Sequence, residues 1–225
     1  MIEVKLRKIP LINGKYYHIF NRSIAKYLIF NDSSEYSRMV DIIGLFRFAD
    51  FRQSYSNFIK LTPKCQAELK KPLQNSPVLV EIIAYCLMPT HFHLILKQNI
   101  DNGITNYMAR VQNSYSRYFN MTHKRKGPLW EGHFSNVLIE SDELMFHVTR
   151  YIHLNPVTVK IVEQPEDWDY SSYKEYTKQS FLKICCFKDI INMKPSNYKK
   201  FVNDQIAYQR ELSKIKHLLI ENYSG

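Results

Sequence analysis

The sequence predicts an α+β fold, an antiparallel sheet with helices on one face. Three observations carry this. Apolar residues alternate, or run unbroken over strand lengths, in four segments between residues 14 and 140. Three longer segments place apolar residues at helical spacing instead. Read in order, the chain runs strand, helix, two strands, helix, strand, helix, which an antiparallel sheet layered with helices accommodates.

The elements follow one by one. "GKYYHIFNRSI" reads as an opening strand with Tyr17, Ile19 and Asn21 on one face. Ser34 to Phe48 reads as a helix, capped by Asp32, Ser33 or Ser34. Residues 52–77 are polar and hold Pro63, Pro72 and Pro77, so an irregular insertion is expected there. "VLVEIIAYCLM" and "HFHLILKQ" are two strand-like runs separated by "PT", the pattern of a hairpin. Gly103 to Asn120 is an amphipathic helix with Ile104, Met108, Val111, Tyr115 and Tyr118 near one face. "THKRKGPLW" is a basic turn and "GHFSNVLIE" a further strand. Ser141 caps a helix from Asp142 to about Asn155, which Pro156 is expected to end or bend, because the residue before proline avoids the helical region. The expected organisation is a catalytic domain over 1–160 and a mainly helical extension over 161–225, its longest helical stretch running from Ser196 to Asn222.

Composition narrows the class. The chain has 225 residues, with 31 Lys plus Arg against 21 Asp plus Glu, a net charge of +10 and a pI near 9.3. Such an excess favours polyanions, nucleic acid first among them. Sixteen tyrosines and thirteen phenylalanines supply rings on which unpaired bases stack. No apolar run approaches the ~20 residues that span a bilayer, so no membrane partner is expected. The start, "MIEVKLRKIP", has no apolar leader segment. The four cysteines, two adjacent at Cys185 and Cys186, have no metal-ligand spacing and read as reduced thiols of a cytoplasmic protein.

The residues that could do chemistry lie in two places. In "YCLMPTHFHLILKQ", His91 and His93 alternate with Phe92 and so project from one face of a strand, ~6.6 Å apart along it. Two imidazoles so placed can ligate a divalent metal. The bland alternative, two core histidines bonded to the backbone, fits a bare H-x-H equally well. In "RYIHLNPV", Tyr151 and Asn155 lie four apart on one helical face, a hydroxyl beside an amide oxygen able to ligate a hard metal. Tyr115 and Tyr118 sit on a helix just as well, and spacing alone does not choose among the three tyrosines. His18, His133 and His153 read as structural or surface residues. Lys124, Arg125 and Lys126 in the basic turn, with Arg110 and Arg117 two turns apart on one helix, could neutralise phosphates.

Four blocks in order, "YYHIFNRS", "YCLMPTHFHLIL", "GPLWEGHF" and "RYIHLNPV", with a fifth, "DWDYSSYKEY", resemble the REP-associated tyrosine transposases, a family of HUH single-strand DNA transposases. The resemblance spans roughly residues 14–177. It implies a ferredoxin-like sheet of the HUH endonuclease type. It implies that His91 and His93 bind a divalent metal, Mg²⁺ with Mn²⁺ as a substitute, that Tyr151 is the nucleophile, and that Asn155 stands where related enzymes have a third protein ligand. The implied reaction is transesterification. Tyr151 attacks a phosphodiester next to a hairpin in single-stranded DNA, giving a 5′-phosphotyrosine and a free 3′-hydroxyl that can later rejoin. The metal offsets charge on the phosphate oxygens. The wider group contains both monomers and homodimers. Two other functions compete: a silent hairpin-binding regulator, and a replication initiator or relaxase with the same histidine pair.

Overall fold

The computed structural model describes residues 10–180 and 182–211. Strand β1 (Tyr16–Arg22) leads to helix α1 (Ser33–Phe46). Asp32 caps α1, its carboxylate accepting from the backbone N–H of Ser34 at 2.8 Å and of Glu35 at 3.1 Å. Two short helices follow, α2 (Tyr55–Phe58) and α3 (Pro63–Lys70), then a 3₁₀ turn over Lys71–Asn75. The irregular insertion expected at 52–77 is therefore largely helical. Pro63 occupies the first turn of α3 behind the Thr62 cap, where a missing N–H costs nothing. Tyr55, Phe58 and Leu73 of this segment are buried in the core, which a purely polar reading did not anticipate.

Strands β2 (Val80–Met88) and β3 (His91–Gln98) form the expected hairpin, Met88 pairing with His91 across Pro89 and Thr90. Helix α4 (Gly103–Thr122) packs back on the sheet. Its first residue must be glycine, since a Cβ there would stand 2.3 Å from the Leu79 carbonyl oxygen. Strand β4 (Ser135–Ile139) and helix α5 (Asp142–Thr158) follow, with the Ser141 hydroxyl capping α5. Pro156 does not end α5. The helix runs through it to Thr158, because Pro156 and Val157 are buried against the sheet and that packing outweighs the backbone bond proline forgoes.

The sheet order is β2-β3-β1-β4, all neighbours antiparallel. This is the ferredoxin-like arrangement, a split β-α-β unit repeated. Helices α1 and α4 cover one face, as expected. Helix α5 covers the other, so helices lie on both faces rather than one. The reason is in β3, which is buried on both sides along most of its length. Phe92, Leu94 and Leu96 meet Ile43, Met108 and Val111 on the first face. Ile95, with Ile83 and Cys86 of β2, meets Ile152 and Val157 on the second. Two apolar faces need two covers.

The chain after α5 belongs to the second face. Residues 170–172 lie along the edge of β2, where Leu87 N–H donates to the Tyr170 carbonyl and Ser172 N–H to that of Tyr85, both at 2.9 Å. Helices α6 (Tyr173–Tyr176) and α7 (Pro195–Asn203) add Tyr173, Tyr176, Tyr198 and Val202 to the same core. The C-terminal part of the stretch from Ser196 to Asn222, from residue 212 onward, lies outside the described residues. Among the described residues, no helix is long and apolar enough to cross a membrane.

Candidate active site

On β3, the alternation that sends Phe92 and Leu94 into the core beneath α1 and α4 turns His91 and His93 toward α5. Their rings are 5.0 Å apart. Tyr151 reaches them from α5, its ring 5.7 Å from that of His93. These three residues line one cleft of about 680 Å³ together with Phe20, Asn21, Arg22, Lys26, Thr90, Glu131, Gly132, His133 and Ser135. Tyr151 is 38% exposed and opens to this space.

The other two candidate tyrosines face away. Tyr115 lies fully buried beneath the opposite face, its hydroxyl donating to the Ile29 carbonyl. Burial pushes its pKa far up. Tyr118 lies on the same helix under the Arg38 guanidinium, 4.0 Å from the ring centre. Of the three, Tyr151 alone shares a cleft with the histidines.

The histidine rings are held by their Nδ1 atoms. His91 Nδ1 is 3.0 Å from the Thr90 hydroxyl, and His93 Nδ1 is 3.0 Å from Nε2 of His18 on β1. Neither Nε2 has a protein hydrogen-bond partner among the described residues. Burial lowers the pKa of His91 to about 4, with the nearby Arg22 cation adding to it. Burial also drives His93 well below its ordinary value, with His18 and His91 contributing. Both rings are therefore neutral at pH 7, the state in which imidazole ligates a metal. A pair of neutral imidazoles with Nε2 free and Nδ1 occupied fits a divalent cation.

Among the described residues, no group of three or more His, Cys, Asp or Glu side chains could hold a metal. Asn155 is one turn beyond Tyr151 on α5, 7% exposed, and the nitrogen of its buried amide has no partner among the described residues. The orphaned atom is a donor, so any ligand role falls to the amide oxygen, and Asn155 is not among the residues lining the cleft.

The basic residues sort differently from the sequence reading. Arg110 is not a surface cation: its guanidinium donates to the backbone carbonyls of Phe46 and Phe48 at 3.2 and 3.0 Å, and to that of Phe51. It secures the end of α1, and burial lowers its pKa. Arg125 is half-buried and ties its own turn, donating to Asn120 at 3.1 Å and to the Pro128 carbonyl at 2.6 Å. Arg117, Lys124 and Lys126 are exposed, and none of the five lines the cleft. The cations that do are Arg22, paired with Glu131, and Lys26. Arg22 is brought there by its register with His91 across β1 and β3, a pairing that the strand patterns leave open.

Three further histidines are settled by position. His133, expected to be structural, is exposed and lines the cleft. His18 reaches the site through His93. His153, left open between surface and core by the sequence, is a core residue: its Nδ1 is 2.6 Å from the Tyr198 hydroxyl and its Nε2 2.7 Å from the Ser172 hydroxyl. Ser172 in turn accepts from the Tyr85 N–H at 2.9 Å. The chain of bonds fastens α5, two residues from Tyr151, to β2 and α7.

Comparisons with known proteins found one matching family and similar solved structures. The family described as "Transposase IS200 like" matches residues 61–155, which hold His91, His93, Tyr151 and Asn155. The structure of a REP-associated tyrosine transposase bound to a REP hairpin is similar, at 16% identity and a TM-score of 0.51, over 84% of this chain and 95% of that one. A candidate transposase from Deinococcus radiodurans R1 is 14% identical, with a TM-score of 0.35, over 65% of this chain and 95% of that one, too distant to bear on the fold. No curated protein matches. Residues 61–155 are thus similar to the IS200-like transposases, and the fold around them is similar to that of a REP-associated tyrosine transposase.

Proposed function

We propose that the protein is a metal-dependent strand transferase that cleaves single-stranded DNA next to hairpins through a covalent bond to Tyr151. The observation that carries this is the shared cleft: a tyrosine open to solvent, beside two neutral imidazoles whose Nε2 atoms have no protein partner among the described residues. His91, His93 and Asn155 are the residues that would hold Mg²⁺, or Mn²⁺ in its place. When bound, the cation offsets negative charge on the non-bridging phosphate oxygens. Helix α5 holds the Tyr151 hydroxyl at the cleft, so that it attacks phosphorus in line with the leaving 3′ oxygen. The O–P bond to the 3′ oxygen breaks as the Tyr151 O–P bond forms, and a later 3′-hydroxyl reverses the exchange without a nucleotide cofactor.

Arg22, Lys26 and His133 line the mouth of the cleft and suit the flanking phosphates. Arg117, Lys124 and Lys126 provide a second, more distant set of cations. A hairpin partner is supported by the REP hairpin bound to the structurally similar transposase. The test is a denaturing gel with an end-labelled hairpin oligonucleotide carrying a single-stranded flank. With Mg²⁺ or Mn²⁺ a covalent protein–DNA band is expected, absent with chelator and in Tyr151→Phe. A band that persists in Tyr151→Phe would overturn the assignment.

A further inference from the structure

We propose that His18 is a positioning residue that holds His93 in the Nδ1–H form with its Nε2 turned to the metal. The inference rests on the metal reading of His91 and His93. His18 stands on β1, diagonal to His93 across the β1–β3 pair, on the face that carries α5. Its Nε2 lies 3.0 Å from His93 Nδ1, and the two rings stack with centres 5.2 Å apart at 28°. One proton serves that contact. If His93 is to offer Nε2 to a cation, the proton sits on His93 Nδ1, and His18 Nε2 must accept it.

His18 is able to accept. It is half-buried, and a neutral imidazole with its proton on Nδ1 keeps a free lone pair on Nε2, the atom that faces His93. Its position is itself fixed. Phe20 packs beside its ring at 5.1 Å and Tyr151 meets it edge-on at 6.2 Å. The same ring therefore touches both the ligand histidine and the tyrosine. His91 receives the corresponding support from the Thr90 hydroxyl at 3.0 Å. The pair is thus oriented from two sides, by a turn residue next in sequence and by a histidine from another strand. Partners of this kind around ligating imidazoles are worth ~10–100-fold in metal affinity.

Three variants in the Tyr151→Phe background test this: His18→Leu, His18→Gln and His91→Ala. Gln keeps an acceptor near the position of the imidazole Nε2, whereas Leu keeps only the bulk. The first readout is nitrogen-15 NMR of the metal-free protein at pH 7, which reports the tautomer of each histidine. His93 is expected as Nδ1–H in the parent and in His18→Gln, and as Nε2–H or a mixture in His18→Leu. The second is Mn²⁺ titration by calorimetry. Affinity is expected to fall ~10–100-fold in His18→Leu and to recover most of that in His18→Gln. Unchanged affinity in a folded His18→Leu, with affinity lost in His91→Ala, overturns the role of His18 and leaves the metal site intact. A parent that binds no Mn²⁺ overturns the metal reading and this inference together. A parent with His93 as Nε2–H overturns this inference and leaves the metal reading to the Mn²⁺ titration.

Discussion

Tyr151 and Tyr115 can be separated by removing one oxygen from each. The Tyr151 hydroxyl makes no hydrogen bond among the described residues, and the side chain is 38% exposed. Tyr151→Phe should therefore change stability by less than about 0.5 kcal/mol. Tyr115 is fully buried and its hydroxyl donates to the Ile29 carbonyl. Tyr115→Phe removes a buried bond and strands that carbonyl, which costs about 1–3 kcal/mol. For a chain of this size that is a shift of roughly 1 M in the urea midpoint. Activity should move the opposite way. Tyr151→Phe should abolish the covalent adduct with hairpin binding kept within a few fold, and Tyr115→Phe should keep the adduct wherever it stays folded. The assays are urea denaturation followed by fluorescence and a denaturing gel on a labelled hairpin with a single-stranded flank. Loss of the adduct in a folded Tyr115→Phe, or its survival in Tyr151→Phe, would refute the reasoning from exposure and face.

Further outcomes follow from the same geometry. Burial holds His153 down to about 3, against about 6.5 in the unfolded chain. Below pH 6.5 the unfolded state takes up a proton that the folded state refuses, so stability is full above 6.5 and falls as pH drops towards 3, by about 1.4 kcal/mol per pH unit for this group. Urea midpoints at pH 7, 6 and 5 should fall less steeply in His153→Leu than in the parent, and parallel slopes would count against the buried neutral ring. Lys26→Ala should lower the salt dependence of single-strand binding by about 0.7 in the logarithmic slope, the share of one phosphate contact. Arg110→Ala should leave that slope alone and destabilise by on the order of 2 kcal/mol, through the loss of charged bonds to carbonyls; the reverse pattern would restore Arg110 to the DNA interface. A perfect duplex of the same sequence should resist cleavage, since opening it costs ~1.4 kcal/mol per base-pair step; equal cleavage of duplex and hairpin forms would point to an ordinary duplex nuclease.

The parts of this protein legible in its sequence are those set by local geometry. A strand repeats every two residues, so His91 and His93 share a face whatever surrounds them. A helix brings residues four apart together, so Tyr151 and Asn155 pair wherever α5 packs. Asp32 and Ser141 cap their helices through bonds within three residues, and the Pro89–Thr90 turn closes a hairpin between neighbouring strands. What needed the tertiary structure is what distant segments decide. Both faces of β3 are apolar, so its pattern could not say that α4 would take one face and α5 the other. That assignment alone buries Tyr115 and brings Tyr151 to the histidines. Prolines were misread for a related reason: Pro63 starts a helix because a threonine precedes it, and Pro156 stays within one because its surroundings pack. Charge was misread because a basic residue in a sequence does not reveal its acceptors. Those of Arg110 lie about sixty residues earlier in the chain, on backbone carbonyls that carry no sequence signature. His18 is separated from His93 by 75 positions. Only strand pairing, which the pattern of either strand leaves open, brings the two rings within a hydrogen bond.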